Sequence, residues 1–515
     1  MNRLTFELSS YTLKTFSGFS RASVKVEGQE NIPEGAVIFC ANHFTRIETV
    51  FLPYHIHAVT GKQVWSLAAA ELFKIPVLEG LMRRLGGVST HDPLRDQKIL
   101  NTLLSSKIQW VIFPEGMMVK NKKRMRPHTG AAVQAFRCEF FRERLRRHAD
   151  IGGKEFLRLK DSLGVDDLDR VLSQQTYIVP VNITYYPANP RENILAAMAK
   201  LLMKEPSPRL TDELMTEGAM LFVGVDITIR FGAPIAIRPY LNDPYIESML
   251  TVRRQVRFDQ DIYSKSVSKQ IAGRIMERYM ADVYAMTTLN YDHVMACILK
   301  HYPYKREGID IYAFKCKVYY AVTCLLLNRL CYVSDNFRHN LIHLLINDRY
   351  DRVARFLALA QRTGVVRIDG ARMFKDQTRF YDHTPFHSIR LENPVVVMAN
   401  EVEPVTEAEI CLKKIAQKSD RQIYQSVRSR LIEKINVDYA KAYKQFYVDG
   451  ESKRKRVGRP LFLKRTNEVA GVLLIHGYMA APREMADFAE YLHTQGFTVY
   501  APRLAGHGTS PENLA

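Results

Sequence analysis

The chain has 515 residues, 47% hydrophobic and 25% charged, with 73 lysines and arginines against 54 aspartates and glutamates, a formal net charge of +19. That length is too great for one ordinary core and suggests about three domains, and the composition excludes a wholly disordered or fibrous chain. The positive field favours anionic partners, but the basic clusters 120–126, 142–147 and 453–459 contain no interleaved aromatics, so nucleic acid is not expected as a partner.

The N-terminal 21 residues are rich in Ser and Thr and lack an apolar run long enough for a signal peptide or a membrane span. On a helix, Leu4, Phe6, Leu8, Tyr11, Leu13 and Phe16 give a partly apolar face suited to lying on a bilayer. Peripheral contact with an anionic membrane surface is therefore expected. The seven cysteines are odd in number and no two are separated by only two residues, which argues against a disulfide scaffold or a zinc site and for a reducing, cytoplasmic compartment. Together these place the protein on the inner face of the membrane.

From Ser23 to about Tyr240, short β-rich apolar runs alternate with helical stretches, the pattern of an α/β domain. The clearest strands are Ala36–Ala41, Val64–Ala68, Trp110–Phe113 and Tyr177–Thr184. A last strand, Asp226–Phe231, is followed by Gly232 and Pro234 and is expected at a sheet edge. From 241 to 450 the texture changes to long helix-period segments, 252–286 and 338–362 among them, and predicts a mainly helical domain. Within it Val318–Leu327 reads as a core helix and Pro394–Asn400 (PVVVMAN) as a strand. A basic linker, 451–470, precedes a new β-α-β texture at 471–515.

The chemistry is sought first among histidines with a carboxylate five positions on, because a carboxylate on one imidazole nitrogen fixes the tautomer and stabilises the imidazolium formed during general-base catalysis. Five such pairs occur: His43/Glu48, His91/Asp96, His343/Asp348, His387/Glu392 and His507/Glu512. Only His43 follows a strand, AVIFCA, and a small polar residue, Asn42, at the point where a helix can begin. Residues five apart on a straight helix stand about 140° apart around its axis, so this pair can meet only if His43 lies just outside the first turn. His343 and Asp348 lie in an apolar stretch read as helical, which points them apart. Further on, Trp110–Gly116 (WVIFPEG) is a strand ending in a turn, where Glu115 offers a carboxylate and Gly116 permits close approach of the backbone.

Taken in order, NHFTRIE, GGVSTHD, FPEG, HTGAA and IVPV resemble the glycerolipid acyltransferases that make lysophosphatidate and phosphatidate, over roughly residues 20–240. The resemblance implies a mixed-sheet domain that moves a fatty acyl group from a coenzyme A or acyl-carrier-protein thioester to a glycerolipid hydroxyl. It implies no bound cofactor. His43 is then the general base, Glu48 its partner, and Phe113, Pro114, Glu115 and Gly116 the acceptor loop. Thr45, Arg95, Lys120 and Lys122 are the further substrate-binding candidates. Three positions depart from the family pattern: Glu48 replaces the usual aspartate, Met117-Met118 replace the Thr-Arg after FPEG, and only Arg95 stands near GGVSTHD.

Residues 471–515, with GVLLIHG and PRLAGHGTS, resemble the opening of α/β hydrolases of the carboxylesterase and monoacylglycerol lipase type. The Gly-x-Ser-x-Gly elbow of that fold is absent from the sequence, so these residues are expected to be an incomplete hydrolase start without hydrolytic chemistry. The alternative function is a catalytically degenerate acyltransferase fold that serves as a membrane-binding scaffold for that hydrolase.

Overall fold

The computed structural model describes residues 23–45, 48–68, 86–119, 125–186, 226–346, 350–381 and 389–509, with isolated positions at 70, 73, 80, 83, 121 and 123. The expected amphipathic N-terminus lies outside them. Two compact units divide the chain, Met1–Gln417 and Lys418–Ala515.

The first unit is built on an eight-stranded sheet: β1 (Ser23–Glu27), β2 (Ala36–Ala41), β3 (Gln63–Ala68), β4 (Gly87–Ser89), β5 (Ile108–Ile112), β6 (Thr176–Tyr186), β7 (Asp226–Phe231) and β8 (Ile235–Ala236). Strand order is β1-β7-β6-β2-β5-β3-β4, with β8 also paired to β6. Neighbours from β6 through β2, β5, β3 and β4 run parallel, while β7 is antiparallel to β6. The six residues of β2 are all fully buried, as befits a central parallel strand covered on both faces. Its alternate residues serve two cores. Ala36, Ile38 and Cys40 pack into one cluster, and Val37, Phe39 and Ala41 into the other.

The expectation of an edge position for 226–231 is corrected. β1 pairs in parallel along its outer side, Ser23 against Asp226 through Glu27 against Arg230, so β7 is interior. Its alternation reflects one deeply buried face, with Ile227, Ile229 and Phe231 in the core, and says nothing of the sheet edge.

Helices cover both faces. One carries α1 (Glu48–Thr60), whose Leu52 and Ile56 join the second cluster. The other carries α2 (Arg95–Leu104), α3 (Gly130–Ala149) and α4 (Ser266–Ala285). Ile271, Ala272, Ile275 and Tyr279 of α4 share a core with Ile38 and Cys40 of β2, and Ile389 and Val397 share the opposite one with Phe39. The structure therefore does not divide at 240, where the sequence texture changes. A helix-rich stretch packs on the same sheet as the strands before it.

Two further expectations differ. Pro394–Asn400 is not a strand: it lies in α7 (Pro394–Val402), with proline in the first turn and the Asn393 side chain accepting from the Val396 N–H. Every residue of that helix is buried, and a uniformly apolar run has no period by which to separate strand from buried helix. The stretch 338–362 is not one helix either. A short 3-10 turn at Leu341–Leu344, its Asn340 side chain accepting from Ile342 N–H, precedes a helix at Arg352–Arg362. Between α4 and α7, α5 (Tyr291–His301) and α6 (Ile311–Asn328) are largely buried, so the 318–327 run is a core helix.

The second unit holds α8 (Asp420–Gln445), α9 (Ala486–Thr494) and a three-stranded sheet of β9 (Leu461–Leu463), β10 (Gly471–Leu473) and β11 (Thr498–Ala501). β11 is central, antiparallel to β9 and parallel to β10. Leu473, Ile475, Tyr478 and Met479, at and beyond the end of β10, are all exposed.

Candidate active site

The site forms where β2 and β5, neighbouring parallel strands, end at the same edge of the sheet, the usual place for ligands in such folds. After β2 the buried Asn42 clamps the chain to β6: its Nδ2 donates to the Ile183 carbonyl at 2.9 Å and its Oδ1 accepts from the Ile183 N–H at 2.8 Å. His43 follows in a loop whose carbonyl accepts from Val119 N–H at 2.7 Å. Its ring stacks on Phe113 with centroids 4.3 Å apart.

Glu48 is the first residue of α1 and is fully buried. His43 stands just outside that first turn, and its Nδ1 lies 2.9 Å from Glu48 Oε2. The same oxygen accepts from Phe44 N–H at 2.8 Å, and Oε1 accepts from the Tyr185 hydroxyl at 2.7 Å. A carboxylate at a helix N-terminus is further favoured by the helix dipole. The helix itself is tethered. Pro53 cannot donate to the Thr49 carbonyl four residues back, and the Ser66 hydroxyl of β3 donates to that carbonyl instead, at 3.1 Å. From far along the chain, Arg390 is buried over the Phe44 ring at 4.0 Å and donates to the Phe44 carbonyl.

Beyond β5, Phe113–Gly116 forms a turn closed by Gly116 N–H to Phe113 O at 3.0 Å. Gly116 has φ 67°, and a Cβ there would come within 2.9 Å of the His128 ring. Glycine is required on both counts. Glu115 is buried and accepts from the Tyr284 hydroxyl of α4. This ties the turn to the helix beneath it.

A cavity of about 410 Å³ opens beside His43. Phe113, Pro114 and Gly116 form one wall, Thr90, His91, Arg95 and Asp96 a second, and Gly130, Ala131 and Gln134 of α3 a third. Arg95 donates to the Thr90 carbonyl at 2.8 Å and to Asp96 Oδ1 at 2.7 Å. Asp96 thus pairs with Arg95. His91 is exposed, its backbone N–H on Ser89 Oγ.

The structure thus brings His43, Arg95, Phe113, Pro114 and Gly116 to one cavity, with Glu48 directly behind His43. Thr45 is buried with its hydroxyl 3.4 Å from the Tyr185 hydroxyl, and neither it nor Glu115 is among the lining residues. Lys120 and Lys122 lie outside the described residues, as do Asp348, His387 and Glu512 of the competing pairs. His343 is buried, with Nδ1 on the Asn340 carbonyl at 2.7 Å. Sequence reasoning missed Tyr185, Arg390 and Gln134. Nothing local marks the first two, which come from 137 and 346 positions away from their partners.

Burial pushes the Cys40 thiol well up from its ordinary range, which suits a core residue rather than a thiolate nucleophile. Among the described residues, no group of three His, Cys, Asp or Glu side chains is placed to hold a metal ion. Nor is any described helix long and apolar enough to cross a membrane.

Comparison with known proteins finds the acyltransferase family model matching residues 23–184. The chain is similar to the 1-acyl-sn-glycerophosphate (LPA) acyltransferase PlsC of Thermotoga maritima, at 18% identity over 47% of this chain and 78% of that one, with a TM-score of 0.24, a likeness too low to argue from. It is also 46% identical over 48 residues to a thermostable monoacylglycerol lipase of Bacillus sp. (strain H-257), which is 9% of this chain and 19% of the lipase's length. The family match spans β1 to β6 and includes the His43–Glu48 pair, the FPEG turn and most of the cavity wall, and on it residues 23–184 belong to the acyltransferase family.

Proposed function

We propose that the protein transfers a fatty acyl group from a coenzyme A or acyl-carrier-protein thioester to the hydroxyl of a glycerolipid, with His43 as general base. The observation that carries this reading is the buried Glu48 carboxylate, which accepts at once from Phe44 N–H, Tyr185 O–H and the His43 ring. A carboxylate only accepts, so Nδ1 carries the hydrogen and Nε2 is left with its lone pair. His43 Nε2 takes the proton of the acceptor hydroxyl as its oxygen attacks the thioester carbonyl. The imidazolium is held by Glu48. As the tetrahedral intermediate collapses, the C–S bond breaks and the departing sulfur takes the proton from His43, giving an ester and a free thiol. No covalent acyl-enzyme is needed, because the thioester is already activated.

The alternative is a degenerate acyltransferase fold that serves as a membrane-binding scaffold, and the cavity that opens beside the paired His43 favours catalysis over it. The two readings separate in an assay of labelled acyl transfer to lysophospholipids, glycerol phosphate and monoacylglycerols. Transfer to any of them supports catalysis, and transfer to none favours the scaffold.

The same reading includes peripheral docking on an anionic bilayer. Leu94 and Met117, 59% and 45% exposed, are next in sequence to the cavity residues Arg95 and Gly116 and are apolar side chains available to a bilayer. Each well-placed cation contributes about 1 kcal/mol at such a surface. Raising salt should release the protein from anionic vesicles, and retention until detergent is added would contradict an electrostatic attachment.

A further inference from the structure

The third wall of the cavity has features that neither the His43 chemistry nor the FPEG turn uses. Helix α3 is 20 residues long, and its first turn has no acidic residue and no side-chain cap. Thr129, at the capping position, has its hydroxyl 3.2 Å from the Tyr263 hydroxyl instead. The first N–H groups of a helix have no acceptor within it, and together with the dipole they favour an anion. Gly130 leaves that turn open: a Cβ there would meet nothing within 4 Å. One turn on, on the same face, Gln134 lines the cavity at only 7% exposure. Its Oε1 has no hydrogen-bond partner among the described residues. A buried carboxamide oxygen left unpaired is costly in the empty protein, and that cost is recovered when a polar group enters and the carboxamide is paired in one orientation or the other.

We infer that the N-terminus of α3, with the backbone of Gly130 and Ala131 and the Gln134 carboxamide, is a phosphate-binding subsite of the acyl-transfer cavity. A carboxamide can present its NH2 to the cavity by a half-turn, since oxygen and nitrogen are interchangeable in shape, and that NH2 donates to a phosphate oxygen beside the helix amides. Arg95 also lines the cavity, ion-paired with Asp96 in the empty protein, and its guanidinium has further N–H groups with which to meet a phosphate. This arrangement compensates for Met117-Met118, which place no cation directly after the FPEG turn. The phosphate belongs to the acceptor, or to the coenzyme A donor. The identity of the cavity as an acyl-transfer site rests on the function proposed above, whereas the binding of phosphate does not.

The test uses the full chain and reads binding by calorimetry, so it does not depend on turnover. Glycerol 3-phosphate, coenzyme A and uncharged glycerol are titrated into wild type, Gln134→Leu and Gly130→Ala. Losing a hydrogen bond to a charged group should weaken phosphate binding about 10- to 100-fold in Gln134→Leu, with glycerol unaffected. Its unliganded melting temperature should hold or rise, because the orphaned polar group is gone. A purely structural glutamine would lower it. Gly130→Ala adds a methyl into open space and a better helix former, so it should fold well and still bind phosphate more weakly. Weakening with glycerol 3-phosphate assigns the subsite to the acceptor, and weakening with coenzyme A alone assigns it to the donor. Equal phosphate affinity in all three proteins overturns the subsite. Binding that behaves as predicted without acyl transfer to any acceptor would leave the subsite standing and remove the proposed function.

Discussion

Glu48→Gln isolates the charge of the catalytic pair from its shape. In the native site Oε2 accepts from Phe44 N–H and faces His43 Nδ1, while Oε1 accepts from Tyr185 O–H. A glutamine can keep its carbonyl toward Phe44 and His43 and turn its NH2 toward Tyr185, whose hydroxyl rotates to accept. Every hydrogen bond survives, and only the negative charge goes. A unit charge 2.9 Å from the ring nitrogen is worth about 6 kcal/mol to an imidazolium at an effective dielectric constant near 20. The retained hydrogen bond offsets part of this, leaving about 3–5 kcal/mol, or a loss of about 10²–10⁴ in kcat. The melting temperature should not fall, since removing a buried charge while keeping its partners is not destabilising. Single-turnover acyl transfer at saturating acceptor, paired with thermal unfolding, measures both. A kcat within threefold of wild type would refute a role for the charge. Glu48→Asp supplies the complementary result: it keeps the charge but shortens the reach, so it should unfold more easily because three donors can no longer all be met.

Gly116→Ala should cost about 1–3 kcal/mol of stability from the positive φ and the clash with the His128 ring. A denaturant midpoint equal to wild type would contradict the close approach described. Burial raises the Asp292 carboxyl from 3.8 to about 6, against the pull of His293, Arg352 and Arg355. The folded protein therefore holds that proton more tightly than the unfolded chain, and the charged form is a burden above pH 6 that shrinks as pH falls and vanishes below about 4. Asp292→Asn should accordingly stabilise the protein at neutral pH but not at pH 4. A pH-independent effect would place the carboxyl elsewhere.

Local pattern revealed β2, β3, β5, β6 and β7, the FPEG turn and the placement of His43, because each depends on its immediate neighbours, whereas β1, β4 and β8 were not read from it. The apolar run AVIFCA could only be a buried central strand or a helix segment, and Asn42-His43 after it marked its end. PVVVMAN misled for the same reason that AVIFCA succeeded: β-branched residues suggest a strand, but a proline in the first turn and an asparagine cap make a buried helix equally good. The domain boundary at 240 was misplaced because helix texture identifies secondary structure and not the surface on which it packs. Tyr185, Tyr284 and Arg390 are contributed from distant segments, and no spacing rule finds such partners. Glu115 was legible as a carboxylate at a strand end, but not that it would turn inward to Tyr284.

The central claim is that His43, and no other histidine, takes the acceptor's proton. Acyl transfer measured side by side in wild type, His43→Ala, His91→Ala and His343→Ala tests it most directly. His91 is the demanding comparison, since it lines the same cavity but the carboxylate five positions on, Asp96, is paired with Arg95. The account predicts a fall of about 10²–10⁴-fold for His43→Ala, measured on protein that thermal unfolding shows to be folded although Glu48 has lost one of its three donors, with transfer retained in the other two. An inactive His91→Ala beside an active His43→Ala would contradict it.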